Sequence, residues 1–293
     1  MHVPVMLGEC LEYLNVRPDG IYLDATAGLG GHSRAIAERL TTGLLLSCDR
    51  DSESLEQARA NTAEFAGRIR FLKTEFSSLG RVARAALVEK GTTQLDGLLA
   101  DLGVSRYQLT EGERGFSFAS RGPLDMRMDR SQGQTAADIV NYTSEAELAN
   151  LIFQLGEERR SRKIARAIVR ARPVATTSEL AGLIENTVPR TGKLHPATQT
   201  FMALRIAVNR EQEELQALLQ EIPRLVRPGG RAVILTFMST EDRAVKHAFQ
   251  ALAKSGQARI LTRHVIRPSE DEVRANAPSR SAKLRAIELL AGP

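Results

Sequence analysis

The chain has 293 residues, of which 42% are hydrophobic, enough for a sizeable core and for two domains and too apolar for a disordered chain. Forty Lys and Arg against thirty-five Asp and Glu leave a net charge of +5, an excess that does not by itself indicate a polyanionic partner. There is no run of 18 apolar residues, MHVPVMLGE has neither the basic nor the apolar stretch of a secretory signal, and Cys10 and Cys48 lack metal-ligand spacing, Cys48 falling in an apolar strand where a buried, inert thiol is expected, so a protein of the reducing cytoplasm without a metal site is expected.

Val3, Val5, Met6 and Leu7, then Leu11 and Leu14, predict an entry segment and a short helix, and Pro18-Asp19-Gly20 predicts a turn. Residues 21–50 follow as one βαβ unit. A buried strand ends in Asp24, a turn carries Gly28, Gly30 and Gly31, a helix runs from about Ser33 to Leu40, and a second strand, Leu44 to Cys48, ends in Asp49. Glycines let the backbone approach a ligand, the helix start offers free N–H groups, and an acid ending the second strand is placed to take a ribose hydroxyl pair. The dinucleotide fingerprint G-x-G-x-x-G is incomplete, because Ser33 stands at its third glycine. Asp24-x-x-x-Gly28-x-Gly30-Gly31 is similar instead to the first motif of S-adenosylmethionine-dependent methyltransferases, whose ligand has no pyrophosphate. A nicotinamide or flavin nucleotide and a purely structural turn remain open on this stretch alone.

Next come a helix from Asp51 to Phe65, a strand from Ile69 to Leu72 continuing toward Glu75 and Phe76, a helix from Ser77 to Glu89, and an apolar strand from Leu95 to Ala100 that delivers Asp101. Strands and helices alternating at these intervals predict an α/β fold with a doubly wound, mostly parallel sheet. Ligands of such sheets lie at the carboxyl ends of the strands, where Asp24, Asp49, Phe76 and Asp101 are expected. Residues 103–133 show neither helical nor strand period, and a loop of that length in a compact domain is usually functional. Helical patterns dominate residues 135–209, with capping boxes at Ser144-x-x-Glu147 and Thr176-x-x-Glu179 and an apolar stripe of Leu148, Leu151, Ile152 and Leu155. Arg159, Arg160, Arg162, Lys163, Arg166, Arg170 and Arg172 fall within fourteen residues, either a phosphate-binding face or a solvated one. From Glu211 a polar helix stops at Pro228-Gly229-Gly230. A strand from Ala232 to Phe237, a helix capped by Ser239-x-x-Asp242, and strands Ala258 to Leu261 and Leu284 to Leu290 resume the sheet. Three parts are therefore expected: 1–105 and 210–293, which build the sheet, and an inserted loop-rich and helical domain, 106–209.

Longer blocks accompany these elements: HVPVML at the start, DGLLADLGVS (Asp96 to Ser105), ERGFSF (Glu113 to Phe118), GPLDMRMD (Gly122 to Asp129), GEER (Gly156 to Arg159), HPAT (His195 to Thr198), ALRIAVN (Ala203 to Asn209), PGGR (Pro228 to Arg231) and RSAKLR (Arg280 to Arg285). In this order they resemble the bacterial 16S ribosomal RNA cytosine-N4 methyltransferases over nearly the whole chain. The resemblance implies a Rossmann-like class I methyltransferase fold whose all-helical insert recognises substrate, with S-adenosyl-L-methionine as cofactor. It implies cofactor contacts at Gly30, Gly31 and His32 in the turn, Asp49 on the ribose, Phe76 beside the adenine, and Asp101 and Gln108 near the reacting end. The implied partner is 16S ribosomal RNA within the small subunit, methylated in its decoding region. Three positions depart from the family pattern. Met238 replaces the histidine of F-H-S-x-E-D-R, removing any histidine general base from that block, Asn276-Ala277-Pro278 replaces N-P-R, and Arg106-Tyr107 replaces Ser-Pro before Gln108.

Methylation of an exocyclic amine by a sulfonium donor is an in-line displacement that requires neither metal nor covalent nucleophile. The amine lone pair is delocalised into the ring, and a carboxylate or carbonyl accepting its N–H bonds would localise it. Asp101, or backbone oxygens of residues 101–105, is the candidate for that role. The target base must be flipped out or already unpaired, with Phe116 or Phe118 stacking on it and Arg127 on phosphate or base. Rival readings are a methyltransferase for DNA or protein amines, an RNA-binding assembly factor that has lost catalysis, and a nicotinamide dehydrogenase. Asp101-Leu102-Gly103-Val104-Ser105 lacks the Pro-Pro-aromatic block usual in amino methyltransferases of DNA.

Overall fold

Residues 21–24, 44–49, 97–101 and 232–236 are largely apolar runs that each end in a polar residue, which is how strands covered on both faces are written. The computed structural model describes residues 4–131, 133–190 and 194–291, so His2 and Val3 of the opening motif lie outside the described residues. In chain order the first elements are α1 (Leu7–Leu14), β1 (Ile21–Asp24), α2 (Gly31–Arg39), β2 (Leu44–Asp49), α3 (Ser52–Asn61), β3 (Ile69–Lys73), α4 (Phe76–Leu87) and β4 (Leu95–Asp101). Six helices follow: α5 (Arg106–Thr110), α6 (Ala136–Tyr142), α7 (Glu145–Gly156), α8 (Ser161–Ala171), α9 (Thr177–Thr187) and α10 (Thr198–Asn209). The chain closes with α11 (Glu211–Leu225), β5 (Val226–Thr236), α12 (Ser239–Lys254), β6 (Ala258–Ile260), α13 (Glu270–Ala275) and β7 (Lys283–Leu289). Contacts divide it into two compact units, Met1–Gly103 with Glu213–Pro293, and Val104–Gln212. Among the described residues no helix is long and apolar enough to cross a membrane.

The first unit holds one seven-stranded sheet in the order β3-β2-β1-β4-β5-β7-β6. β7 runs antiparallel to both of its neighbours, so the sheet is doubly wound and mostly parallel, the Rossmann-like architecture that the sequence predicts. Side chains alternate between its faces. Leu45, Leu99 and Val233 pack with Leu11 and Leu14 of α1 and Ile36 of α2. Leu46, Leu98 and Ile234 pack with Leu79 of α4, Leu218 and Ile222 of α11 and Phe249 of α12. Each such leucine contributes about 1.5–3 kcal/mol of burial. Strand order reverses between β1 and β4, which places Asp24 and Asp101 on neighbouring strands at the switch point.

Three local readings change. Phe76 begins α4 and does not end β3. The first turn of α4 is completed from outside, since Glu75 makes no side-chain cap bond and Glu214 of α11 accepts from the Ser77 N–H at 2.9 Å. Pro228-Gly229-Gly230 is no helix stop but an irregularity inside β5, where the register against β4 jumps from Leu95↔Val226 to Gly97↔Arg231. Glu241 caps α12 in place of the Ser239 and Asp242 pair, accepting from the N–H groups of Phe237 (3.1 Å) and Met238 (3.0 Å), while Asp242 pairs with Arg285 of β7.

The second unit is helical, with a core that includes Leu148, Ile152, Ile164, Ile168, Leu180, Ile184, Phe201 and Leu204. Capping boxes open α5 (Ser105/Gln108), α6 (Thr135/Asp138), α7 (Ser144/Glu147) and α9 (Thr176/Glu179). The first of these lies within the stretch expected to be a loop. Beyond it, Leu124, Met126 and Met128 point alternately into the core, and Met126 adopts φ 63°. Two polar side chains hold that backbone. Arg114, only 2% exposed, donates Nη2 to the carbonyls of Arg127 (3.0 Å) and Met128 (2.9 Å). Asn209 accepts from the Met128 N–H and donates to the Met126 carbonyl, both at 2.8 Å. Replacing Asn209 by Ala should lower the unfolding free energy by about 1–3 kcal/mol for each buried group left without its partner, as read by urea denaturation; an unchanged midpoint would show that water replaces the amide.

Candidate active site

The turn after β1 is shaped by its hydrogen bonds. The Ala25 N–H donates to Leu99 O of β4, the Ala27 N–H to Cys48 O of β2, and the Gly30 N–H to Ala27 O. Gly30 has φ 86°, which favours glycine, and a Cβ there would sit a tight 3.1 Å from the Ala58 Cα. Gly31 starts α2 and packs against Pro4, where a Cβ would lie 2.5 Å from Cγ. No side chain caps this helix, which leaves its first N–H groups available to a ligand.

Three carboxylates end adjacent strands around the turn. Asp24, wholly buried, accepts from the Thr26 N–H (3.1 Å) and the Ser33 hydroxyl (2.6 Å), and Ser33 Oγ also meets Ser47 Oγ at 2.8 Å. Ser33 stands at the fingerprint's third glycine because its hydroxyl is needed there. Asp49 accepts one N–H on each oxygen, from Gly28 and Asp51, both at 2.9 Å. Asp101 donates its own N–H to Thr26 Oγ1 at 2.6 Å, and its Oδ2 lies 3.7 Å from His32 Nδ1. Its Oδ1 is buried with no hydrogen-bond partner among the described residues, although 26% of the side chain is accessible. Burial, with the charges of Asp51 and Asp24, pushes Asp49 up to about 6 against its two backbone donors. Burial raises Asp101 to about 6 as well, lowered in part by His32 and raised further by Asp24 and Glu241. Asp24 is also raised by burial, against His32 and its own hydrogen bonds.

His32 is buried, its Nε2 3.1 Å from Val5 O. A carbonyl only accepts, so Nε2 carries the hydrogen and Nδ1 faces Asp101. Gly30, Gly31, His32, Asp49 and Asp101 therefore meet at one end of the sheet, with half-buried Phe76 at the start of α4 beyond β3. Thr26, Ser33 and Glu241 share that end, although the sequence names none of the three as a site residue. Among the described residues no group of three His, Cys, Asp or Glu side chains could hold a metal ion.

The other candidates belong to the second unit. Gln108 is 3% exposed, and its Oε1 accepts from the Ser105 N–H at 2.9 Å, so it closes the cap of α5. Phe116 is buried in the helical core. Phe118, half-buried, lies 4.6 Å from the His195 ring at 31° and meets Phe201 edge-on at 5.0 Å. Arg127 forms a fork on Asp125, Nε to Oδ1 at 2.8 Å and Nη2 to Oδ2 at 2.9 Å. Against the upward push of burial, these bonds and the Arg127 charge hold Asp125 below the usual carboxylate range.

Residues 1–290 match the MraW methylase family. The chain is 59% identical over 289 residues to ribosomal RNA small subunit methyltransferase H of Solibacter usitatus, covering 99% of this chain and all of that one. It is 49% identical over 297 residues to the protein of the same name from Acidobacterium capsulatum, with 98% of each chain covered. The corresponding Cyanothece sp. protein is 44% identical over 291 residues, 99% of this chain and 95% of that one.

The raised carboxyls make stability depend on pH. Between about pH 4 and 6 the folded chain keeps protons on Asp49 and Asp101 that the unfolded chain has released, so their contribution is present below about pH 4 and is lost as pH rises through 6. Asp101→Asn cannot ionise and should flatten that part of the profile. Its melting temperature at neutral pH is expected to equal or exceed the wild type's; one below wild type with an unchanged slope would contradict this.

Proposed function

The chain belongs to the MraW methylase family, and we propose that it transfers a methyl group from S-adenosyl-L-methionine to the exocyclic N4 of a cytosine in the decoding region of 16S ribosomal RNA. Full-length similarity to proteins named as small subunit ribosomal RNA methyltransferases supports the substrate class. The observation that carries the chemical reading is Asp101 Oδ1, a buried, uncommitted carboxylate oxygen at the carboxyl end of β4, beside the switch point of the sheet. The sulfonium methyl that S-adenosylmethionine supplies is already electrophilic, so the displacement needs neither metal nor covalent intermediate.

The residues present fit this cofactor better than a dinucleotide. Three carboxylates and one imidazole gather at the turn, which suits a ligand bearing ammonium and sulfonium and repels a pyrophosphate. Asp49 would hold the ribose hydroxyls, since each of its oxygens retains a lone pair after accepting one N–H. Gly30, Gly31 and His32 would flank the amino acid end, Phe76 the adenine, and Gln108, through the helix it caps, the reacting end. Asp101 would accept the cytosine amine N–H bonds and so localise the lone pair for attack. Attack at ring carbon 5 would need a thiolate, but Cys10 and Cys48 are fully buried and burial pushes both thiols up. The helical unit would recognise RNA within the small ribosomal subunit, in the cytoplasm. Phe118 would pack against the target and Phe116 support it from the core, while Asp125 holds Arg127 flat with donors left over for phosphate or base edge.

Purified protein incubated with labelled S-adenosylmethionine and unmodified small ribosomal subunits should yield N4-methylcytidine, identified by mass spectrometry of the digested RNA. Label in another nucleoside would overturn the N4 assignment, and no transfer despite cofactor binding would favour an assembly factor. Asp101→Asn is expected to lower the turnover rate on the order of 10²-fold; turnover at the wild-type rate would remove Asp101 from catalysis. Arg127→Ala should reduce methylation and leave cofactor affinity within about twofold, whereas a large loss of cofactor affinity would place Arg127 in the other pocket.

A further inference from the structure

The chain's excess charge is concentrated in one unit. Between Val104 and Gln212 there are sixteen Lys and Arg against twelve Asp and Glu, so the helical unit carries +4 of the net +5. Residues 159–178 contain seven of those cations and no acid. Two of the seven turn inward. Arg160 donates to Pro189 O and to Glu158, and Arg172 donates to Val140 O and Thr143 O. The other five, Arg159, Arg162, Lys163, Arg166 and Arg170, are exposed.

Their arrangement follows from the period of α8. Ser161, Ile164, Ala165 and Ile168 are buried, so 162, 166 and 170 recur every fourth residue along the outer face, about 6 Å apart along the axis. That spacing is comparable to the separation of successive phosphates on an extended strand. Arg166 lies 3.3 Å from Glu145, but both side chains are well exposed and such a pair contributes little. The two carbonyls held by Arg172 flank Tyr142, which is 81% exposed, so a free aromatic ring stands where α8 ends.

We propose that this stripe, ending at Tyr142, is a docking strip for a single-stranded RNA segment, its phosphates on the cations and a base stacked on the tyrosine. The inference rests on ribosomal RNA being the substrate and names the surface of the helical unit that holds it outside the target base. A membrane surface fits poorly, because the apolar face of α8 is already buried in the core and nothing is left to insert. A protein partner fits less well, since Tyr142 at one end is no central apolar anchor and a regular row of cations matches a phosphate backbone. An arginine row ending in an aromatic is suited to a nucleic acid strand, read without sequence preference.

The test measures binding of naked 16S ribosomal RNA to the full chain over a range of salt. Arg162→Gln/Lys163→Gln/Arg170→Gln should reduce the slope of log affinity against log salt by about two to three, and Tyr142→Ala should weaken binding about tenfold with the slope unchanged. A control triple, Arg81→Gln/Lys90→Gln/Lys246→Gln, alters exposed cations of the first unit and should keep the wild-type slope. Melting temperatures of all variants establish that each is folded. A wild-type slope in the α8 triple, or an equal drop in the control, overturns the strip; unchanged affinity in Tyr142→Ala overturns the stacking. If the α8 triple loses only binding to assembled subunits and keeps its naked-RNA slope, the face is a protein contact and the proposal fails. The nucleoside assay is separate. A slope loss without N4-methylcytidine would keep the strip and remove the proposed reaction.

Discussion

A carboxylate with no accessible surface and, among the described residues, no Lys or Arg paired with it is an unfavourable thing to build around, and the turn after β1 is built around one. Asp24 is kept by a hydroxyl and a backbone N–H. That requirement puts Ser33 where a dinucleotide fold would have its third glycine, and it puts Thr26 where its hydroxyl can also receive the Asp101 N–H from β4. The charge of Asp24 acts on both neighbours, raising Asp49 and Asp101, while His32 lowers Asp24 and Asp101. Acids held this close without a full complement of cations leave a site that gains when a positive ligand enters, because each raised carboxyl then ionises at less cost.

The opening segment has its meaning here. Pro4 lies on Gly31, Val5 offers its carbonyl to His32, and the Met6 N–H donates to Glu272 at 2.6 Å, with Met6 buried at φ 49°. The strap therefore joins α2, at the site, to α13, near the other end of the chain. It also sets the imidazole: with the Nε2 hydrogen fixed on Val5 O, Nδ1 must face Asp101. A carbonyl contact leaves no trace in side-chain chemistry, which is why HVPVML is legible as a block and silent about what it does.

The same distinction separates what the sequence discloses from what it conceals. Strand ends were readable because buried parallel strands are apolar runs, and an acid that stops such a run, as at Asp24, Asp49 and Asp101, stands out. Helix starts that depend on distant residues were not. Glu214 completes α4 from 137 residues away, and the choice of Glu241 over Asp242 as cap of α12 follows from Arg285 holding Asp242 across 43 residues. The short helix α5 was missed because Ser105 and Gln108 form a capping box with no apolar run after it. The alternation of Leu124, Met126 and Met128 was visible, but its polar partners Asp125, Arg127 and Asp129 look like surface until Arg114 and Asn209 are seen to hold the backbone inside.

Met238 sharpens the chemistry. It is the N-cap of α12, just past the carboxyl end of β5, the strand that pairs with β4 in register Asp101↔Leu235. A histidine there would be one candidate to receive the proton that a methylated amine must lose. With methionine in place, the nearby acids are Glu241 and Asp101. Glu241 Oε2 already holds two backbone N–H groups, and moving them would uncap the helix. Asp101 has an oxygen with no partner, and near 6 it is ionised at neutral pH yet basic enough to take a proton in passing. The proposed reaction therefore does not require a histidine at 238. In the proposed reaction the acceptor role would then fall to Asp101, whose unpartnered oxygen and raised basicity both suit it.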